Sequence, residues 1–391
     1  MTSLQSEQIK SESTTLNDLK HRIKRTIWQA SLAEKQVYPD IEVLDQTCLP
    51  HQVRSVRLSS LDDACRAIAT MIVRGAPLIG ATTAYGMALA MRDDSSDDMI
   101  HQAAQALFKT RPTAVNLQWA LNQMKPTLLS LPTQERVEWA YQKASEICDD
   151  DVAMCSAIGE HGLTLFREAY QAKVDAGKEG PLNVLTHCNA GWLGTIEWGT
   201  ATSPIYKAHQ AGIPIHVWVD ETRPRNQGAH LTAWELAFHG VPHTLIVDNA
   251  GGHLMQHGQV DVCIVGSDRT TANGDVCNKI GTYLKALAAF DNQLPFYVAL
   301  PSSTLDFTLK SGKDIPIEER AEHEVTHMRG RTSEGELIDV RIAPQGCKAV
   351  NLGFDVTPAR YVTRLITERG ICPASTEGLA SLFPKDHPKE E

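Results

Sequence analysis

From Asn183 to Ala299 the chain alternates short apolar runs with segments of helical spacing, and this alternation restricts the fold more than any other feature. The runs Asn183–Thr186, Ile213–Val219, Thr244–Val247, Val260–Val265 and Phe296–Ala299 are too short for helices and rich in β-branched residues, so they predict strands. Strands separated by helical crossovers pair in parallel, which makes a parallel sheet the expected architecture. Ligands of such sheets bind beyond the carboxyl ends of the strands. Here those ends read His187-Cys188-Asn189, Asp220-Glu221-Thr222-Arg223, Asp248-Asn249 and Ser267-Asp268-Arg269, so reactive side chains gather where a site belongs.

Upstream the texture changes. Ile41–Leu49 and Val53–Leu58 have strand character, and Leu61–Val73, Ile79–Met91, Met99–Thr110, Ala114–Lys125 and the long Glu135–Ala176 stretch carry apolar residues at helical spacing. Gly177-Lys-Glu-Gly-Pro181 then breaks the pattern. The expected fold class is α/β, with a mainly helical N-terminal domain carrying short strands over residues 21–176 and a parallel-sheet C-terminal domain over residues 181–391. The Ser/Thr/Lys/Glu-rich residues 1–20 are expected to be a disordered tail. A chain of 391 residues, 42% of them hydrophobic, can bury two cores of ordinary size.

Composition removes several function classes. With 47 acidic against 37 basic residues and a formal charge of −10, no concentrated basic surface awaits a nucleic acid, and the expected partner is a small molecule. No apolar run reaches the ~18 residues of a membrane span, and the opening MTSLQSEQIKSESTT lacks the apolar core of a secretory signal. A cytoplasmic location without membrane contact follows as the expectation. The nine cysteines are scattered, odd in number and without a Cys-x-x-Cys pair, so they read as reduced thiols. No Gly-x-Gly-x-x-Gly or Walker loop calls for a nucleotide cofactor.

Five segments carry candidate chemistry. In Val184-Leu-Thr-His-Cys-Asn-Ala-Gly191 the Cys188 thiol falls where an apolar strand turns through small residues towards a helix expected near Trp192, whose amides would stabilise a thiolate; a packed core thiol is the alternative. In Val265-Gly-Ser-Asp-Arg-Thr-Thr-Ala-Asn-Gly-Asp-Val-Cys-Asn-Lys279, Asp268 is either a general acid or a turn former, while Asp275 after Asn273-Gly274 reads as structural. Asn278 and Lys279 suit a hydroxyl and a phosphate. Arg74-Gly75-Ala76 and Arg111 each precede a helix, an arrangement that binds anions, although either Arg alone is more often a surface charge. Gln227, within Asp220-Glu-Thr-Arg-Pro-Arg-Asn-Gln-Gly228, can fix a sugar hydroxyl, whereas Arg223 and Arg225 have loop solvation as the alternative. His323-Glu-Val-Thr-His327 has the form of a zinc-protease motif, but no third ligand accompanies it and its segment lacks an apolar helical face, so no metal is expected.

Taken together, Arg74-Gly-Ala-Pro, Arg111-Pro-Thr-Ala-Val-Asn116, Thr186-His-Cys-Asn-Ala-Gly191, Glu221-Thr-Arg-Pro-Arg225 with Gln227-Gly228, and Asp268 through Lys279 resemble the methylthioribose-1-phosphate isomerases of methionine salvage, over residues 41–371. The resemblance implies a Rossmann-like C-terminal domain, a smaller N-terminal domain, a homodimer, and no metal or nucleotide. It assigns Arg74, Gly75, Ala76 and Arg111 to the phosphate side, Gln227, Asn278 and Lys279 to the substrate, and Cys188 and Asp268 to proton transfer. Many relatives have Cys-Asn-Ala-Gly-Ala-Leu-Ala-Thr where this chain reads Cys188-Asn-Ala-Gly-Trp192-Leu-Gly-Thr195, and Asn-Pro-Ala-Phe-Asp where it reads Asn351-Leu-Gly-Phe-Asp355. Trp192 and Trp198 are therefore expected to reshape the pocket for the sugar's C5 substituent. Isomerases of 5-deoxyribose 1-phosphate or ribose 1,5-bisphosphate, and the non-catalytic regulatory subunits of a translation-initiation exchange factor, share the scaffold as alternatives.

Overall fold

The computed structural model describes residues 23–32 and 36–384, so the tail expected over residues 1–20 lies outside the described part. Packing divides the chain into two compact units, Met1–Cys155 with Trp192–Gly199, and Ser156–Gly191 with Thr200–Glu391. The first division falls inside a helix, ahead of the Gly177–Pro181 break where the sequence pattern places it.

The first unit opens with an antiparallel sheet of β1 (Ile27–Gln29), β2 (Ile41–Leu44) and β3 (Ser55–Leu58). Four helices follow, α1 (Leu61–Ala69), α2 (Ala76–Asp93), α3 (Asp97–Thr110) and α4 (Val115–Ser130), and then the long α5 (Arg136–Asp175). Serines set two of the starts: Ser60 accepts from the Asp63 amide and Ser96 from the Met99 amide, satisfying donors that a helix leaves open. Every residue of α2 from Leu78 to Met91 is buried, so this helix is the centre of the unit rather than an amphipathic cover. Its small residues are a packing requirement: a Cβ on Gly86 would lie 3.0 Å from Leu107 and 3.1 Å from Ala64. Helix α4 runs beyond the expected Lys125, through Pro126 to Ser130, at the cost of one backbone donor.

The second unit is built on a seven-stranded sheet. Along the chain come β4 (Leu182–Thr186), α6 (Thr202–Gln210), β5 (Ile215–Asp220), α7 (Ala233–His239), β6 (His243–Ile246), α8 (Ala250–Gln256), β7 (Val262–Val265), β8 (Arg269–Thr271), β9 (Val276–Lys279), α9 (Thr282–Asp291), β10 (Phe296–Ala299) and β11 (Leu305–Asp306). After the short α10 (His323–Thr326) follow β12 (His327–Arg331), β13 (Leu337–Arg341), β14 (Phe354–Thr357), β15 (Arg364–Thr367), β16 (Gly370–Cys372) and α11 (Thr376–Leu382). The large sheet has the order β16-β15-β10-β7-β4-β5-β6 and is parallel except for β16. All four residues of β7 and of β10 are buried, the pattern of strands covered on both faces. A second sheet of order β11-β8-β9-β14 follows from the β8–β9 hairpin.

Candidate active site

The strand order reverses beside β4: β5 and β6 lie to one side, β7 and β10 to the other. Ligand sites of doubly wound sheets occupy this crevice. Cys188 follows β4 and Asp268 follows β7, and the two strands pair directly through Val184↔Val262 and Leu185↔Cys263. Their loops touch as well, since a Cβ on Gly266 would come within 2.4 Å of the Ala190 methyl.

Cys188 is buried, with φ +68°, in the left-handed region that L-residues other than glycine seldom occupy. Backbone bonds on both sides hold it there. Its amide donates to Thr222 Oγ1 at 2.8 Å, and its carbonyl accepts from Thr232 Oγ1 at 2.6 Å. Thr222 itself has φ +66° and donates to the Asp220 carbonyl at 3.0 Å. Below the loop, Asn189 Nδ2 donates to Thr232 Oγ1 and to Glu235 Oε2, both at 3.1 Å, while the Tyr206 hydroxyl donates to Glu235 Oε1 at 2.8 Å. Burial, and then the Glu235 carboxylate, push the Tyr206 phenol up, so it remains a donor. A helix does not begin near Trp192 as expected. Residues Trp192–Gly194 form one 3₁₀ turn and the next helix starts only at Thr202, so no helix dipole from that segment faces the thiol.

Asp268 stands at the start of the β8–β9 hairpin, its amide donating to the Cys277 carbonyl at 2.9 Å. Burial, reinforced by the Asp268 carboxylate, pushes the Cys277 thiol up to about 12. Asp275 takes the structural part expected of it. Its carboxylate accepts from the amides of Gly312 and Ala359, each at 2.9 Å, and these bonds prevail over burial to hold it below the usual carboxylate range.

Three further candidates belong to the same unit. Gln227 is buried, and its Oε1 has no hydrogen-bond partner, leaving an acceptor ready for a hydroxyl. Gly228 permits this placement, because a Cβ there would lie 1.6 Å from the Asp220 carbonyl oxygen. Asn278 is buried and donates to Thr282 Oγ1 at 3.1 Å. Lys279 Nζ donates to the Gly353 carbonyl at 2.8 Å and lies 4.5 Å from the centre of the Phe354 ring.

In the first unit, Gly75 caps α2 with φ +91°, and a Cβ on it would lie 2.3 Å from the Gly194 carbonyl oxygen. Arg74 and Ala76 flank this start. Arg111 ends α3 just ahead of α4, whose first turn packs on α2 so closely that a Cβ on Gly80 would be 3.1 Å from the Asn116 carbonyl oxygen. The two Arg-bearing helix starts are thus brought to one end of the helical layer.

Trp192 is buried and donates from Nε1 to the Lys24 carbonyl at 3.1 Å, while the following residues bond to Gln46 and Asp151 of the same unit. Trp192 is thus packed within the first unit. The His-Glu-x-x-His segment also lacks the geometry of its motif. Its helix is only four residues long, His327 already lies in a strand, and Glu324 is engaged by Arg320 and Arg225 at 2.6 and 2.8 Å.

Sequence reasoning named His187, Asp220 and Asp248 as strand-end residues but missed that they meet Lys285 behind Cys188. His187 Nδ1 lies 2.9 Å from Asp220 Oδ2 and 3.9 Å from Asp248 Oδ1, a composition that would suit a cation. Lys285 supplies it: its ammonium is 3.2 Å from Asp220 Oδ2 and donates to the Asp248 carbonyl. A lysine inside an apolar helix carries no spacing signal.

Comparison with known proteins places these features in a family. The Initiation factor 2 subunit family matches residues 72–374. A protein of Rhodospirillum rubrum named methylthioribose-1-phosphate isomerase is 59% identical over 93% of this chain and 93% of its own. One of the same name from Methylorubrum populi is 63% identical over 88% of this chain and 93% of its own. Among solved structures, 5-methylthioribose 1-phosphate isomerase from Pyrococcus horikoshii superposes with a TM-score of 0.77 at 38% identity, covering 93% of this chain and 96% of that one. The translation initiation factor eIF-2B subunit delta from A. fulgidus gives 0.74 at 36% identity, covering 92% and 99%.

Proposed function

Because the chain belongs to the Initiation factor 2 subunit family and, within it, to the methylthioribose-1-phosphate isomerases, we propose that it converts 5-methylthioribose 1-phosphate into 5-methylthioribulose 1-phosphate, with Cys188 and Asp268 as its proton-transferring pair. The observation that carries this reading is that both residues follow the carboxyl ends of adjoining parallel strands where the strand order reverses.

The anomeric oxygen of an aldose 1-phosphate is esterified, so the ring cannot open by losing a hydroxyl proton. Asp268, protonated, donates to the ring oxygen as the C1–O bond breaks, while the Cys188 thiolate removes the C2 proton and its electron pair forms the C1–C2 double bond. Cys188 then returns a proton to C1, and Asp268 recovers one from the C2 hydroxyl, leaving the ketone. Arg74, Gly75, Ala76 and Arg111 hold the phosphate; Gln227, Asn278 and Lys279 hold the sugar. Phosphate and sugar are bound without a metal or nucleotide. The chain acts as a homodimer in the cytoplasm.

Turnover of 5-methylthioribose 1-phosphate, 5-deoxyribose 1-phosphate and ribose 1,5-bisphosphate, compared in heavy water, tests the reading. The first should be the best substrate, and its product should carry deuterium at C1. A chain inert on all three sinks the isomerase assignment in favour of a non-catalytic subunit, whereas turnover without deuterium replaces the thiolate route by a hydride shift from C2 to C1.

A further inference from the structure

His187 precedes the proposed proton-transferring thiol, and both of its ring nitrogens face acceptors. Nδ1 is 2.9 Å from Asp220 Oδ2, and Nε2 is 2.8 Å from the Ile280 carbonyl. A neutral imidazole has one donor and one acceptor, so it can satisfy only one of these oxygens and must turn a lone pair on the other. With Asp220 ionised beside the Lys285 ammonium, only the doubly protonated ring satisfies both. The ring is buried, so no water takes the place of either partner.

The surroundings of the ring balance such a charge. From β5 comes Asp220, wholly buried; from the end of β6 comes Asp248, whose carboxylate also accepts the amides of Thr222 and Arg223 at 2.7 Å. From α9 comes Lys285, bonded to Asp220. From β14 comes Asp355, which burial pushes above the usual carboxylate range although it accepts the amides of Gly281 and Tyr283. An imidazolium and the Lys285 ammonium against Asp220 and the half-buried Asp248 leave these four groups neutral, whereas a neutral imidazole leaves one carboxylate beside the ring uncompensated.

We propose that His187 is a positioning residue of this site: an imidazolium bonded to Asp220 and to the Ile280 carbonyl that ties the Cys188 loop to the turn following Asn278 and Lys279. The inference deepens the isomerase reading and rests on it for its kinetic consequence, while the protonation itself is independent of any substrate. One end of the tie is the backbone of Cys188, already held in the left-handed region by Thr222, which donates to the Asp220 carbonyl. The other is Ile280, next in sequence to Lys279. Through His187 the thiol and the residues proposed to grip the sugar keep one register, and losing its positive charge would leave the carboxylates behind the loop to disfavour the thiolate.

Two kinds of measurement test this. In protein carrying ¹⁵N-histidine, the two ring nitrogens of His187 should resonate together at pH 7, as in an imidazolium; widely separated resonances, the mark of a neutral tautomer, overturn the proposal whether or not the chain is an isomerase. His187→Asn retains a donor for Asp220 alone, and His187→Gln one for Ile280 alone. Each should lower kcat on 5-methylthioribose 1-phosphate roughly 10- to 100-fold, as expected of a residue that orients a reacting group, with little change in KM. In both, the pH dependence of Cys188 alkylation by iodoacetamide, followed by peptide mass spectrometry, should move to higher pH. Variants with unchanged kcat and alkylation profile but lower thermal stability would make His187 a purely structural residue and overturn the proposal. Should either variant fail to fold, the ¹⁵N measurement on the native chain still decides.

Discussion

Cys188 is anchored through its backbone, by Thr222 at the amide and Thr232 at the carbonyl, so its side chain can be exchanged without releasing the loop. Cys188→Ser and Asp268→Asn should both remain folded, with circular dichroism and thermal midpoint close to the native values, and lose roughly 10²- to 10⁴-fold in kcat. A turnover near the native value in either would remove that residue from the reaction. Asp151 makes a different prediction. It is fully enclosed in the first unit, and burial pushes its carboxyl up to about 7 despite hydrogen bonds from the Ile196 amide and the Cys155 thiol. The folded state therefore holds a proton that the unfolded chain releases nearer pH 4, and stability falls as pH rises from about 4 to about 7. Asp151→Asn keeps an acceptor for the Ile196 amide and has no charge to bury. Its advantage in thermal midpoint over the native chain should grow between pH 5 and pH 8, and a constant difference would contradict the assignment.

At the scale of elements, close backbone approach explains which glycines are needed. Gly75→Ala places a methyl 2.3 Å from the Gly194 carbonyl oxygen in a backbone conformation with φ +91°, so the start of α2 must shift. A loss of roughly 3 kcal/mol is expected, read as a lower urea midpoint with an unchanged slope. The β8–β9 hairpin shows how an element escapes detection in a sequence. Its strands, Arg269–Thr271 and Val276–Lys279, are three and four residues long and lie in a polar stretch that reads as loop. They become strands by pairing with β11 and β14, partners distant in the chain. The parallel strands β4, β7 and β10 were legible because burial on both faces selects runs of apolar residues, and β5 and the half-exposed β6 were legible from their β-branched residues. Most helices were legible for the analogous reason at period 3.6. The exceptions follow the same logic: the expected helix at Trp192 dissolves into a 3₁₀ turn because that segment packs into the first unit, where Trp192, Leu193 and Ile196 are held by side-chain and backbone partners.

For the whole molecule, a homodimer predicts a light-scattering mass of twice the 43.0 kDa chain, and a monomer at micromolar concentration would remove that part of the proposal. The sequence alone determined the α/β class, the parallel sheet and the strand ends that carry Cys188 and Asp268, because periodicity and β-branched runs are local records of burial. It also determined the family, through blocks of residues in a constant order. Tertiary structure decided that β4 and β7 are neighbours, that Cys188 sits in the left-handed region, and that His187, Asp220, Asp248 and Lys285 share buried charge. It also gave Trp192 to a core and the His323 motif to ion pairs. Those outcomes depend on which distant residues are brought within hydrogen-bonding or van der Waals reach, and spacing along a chain does not encode that.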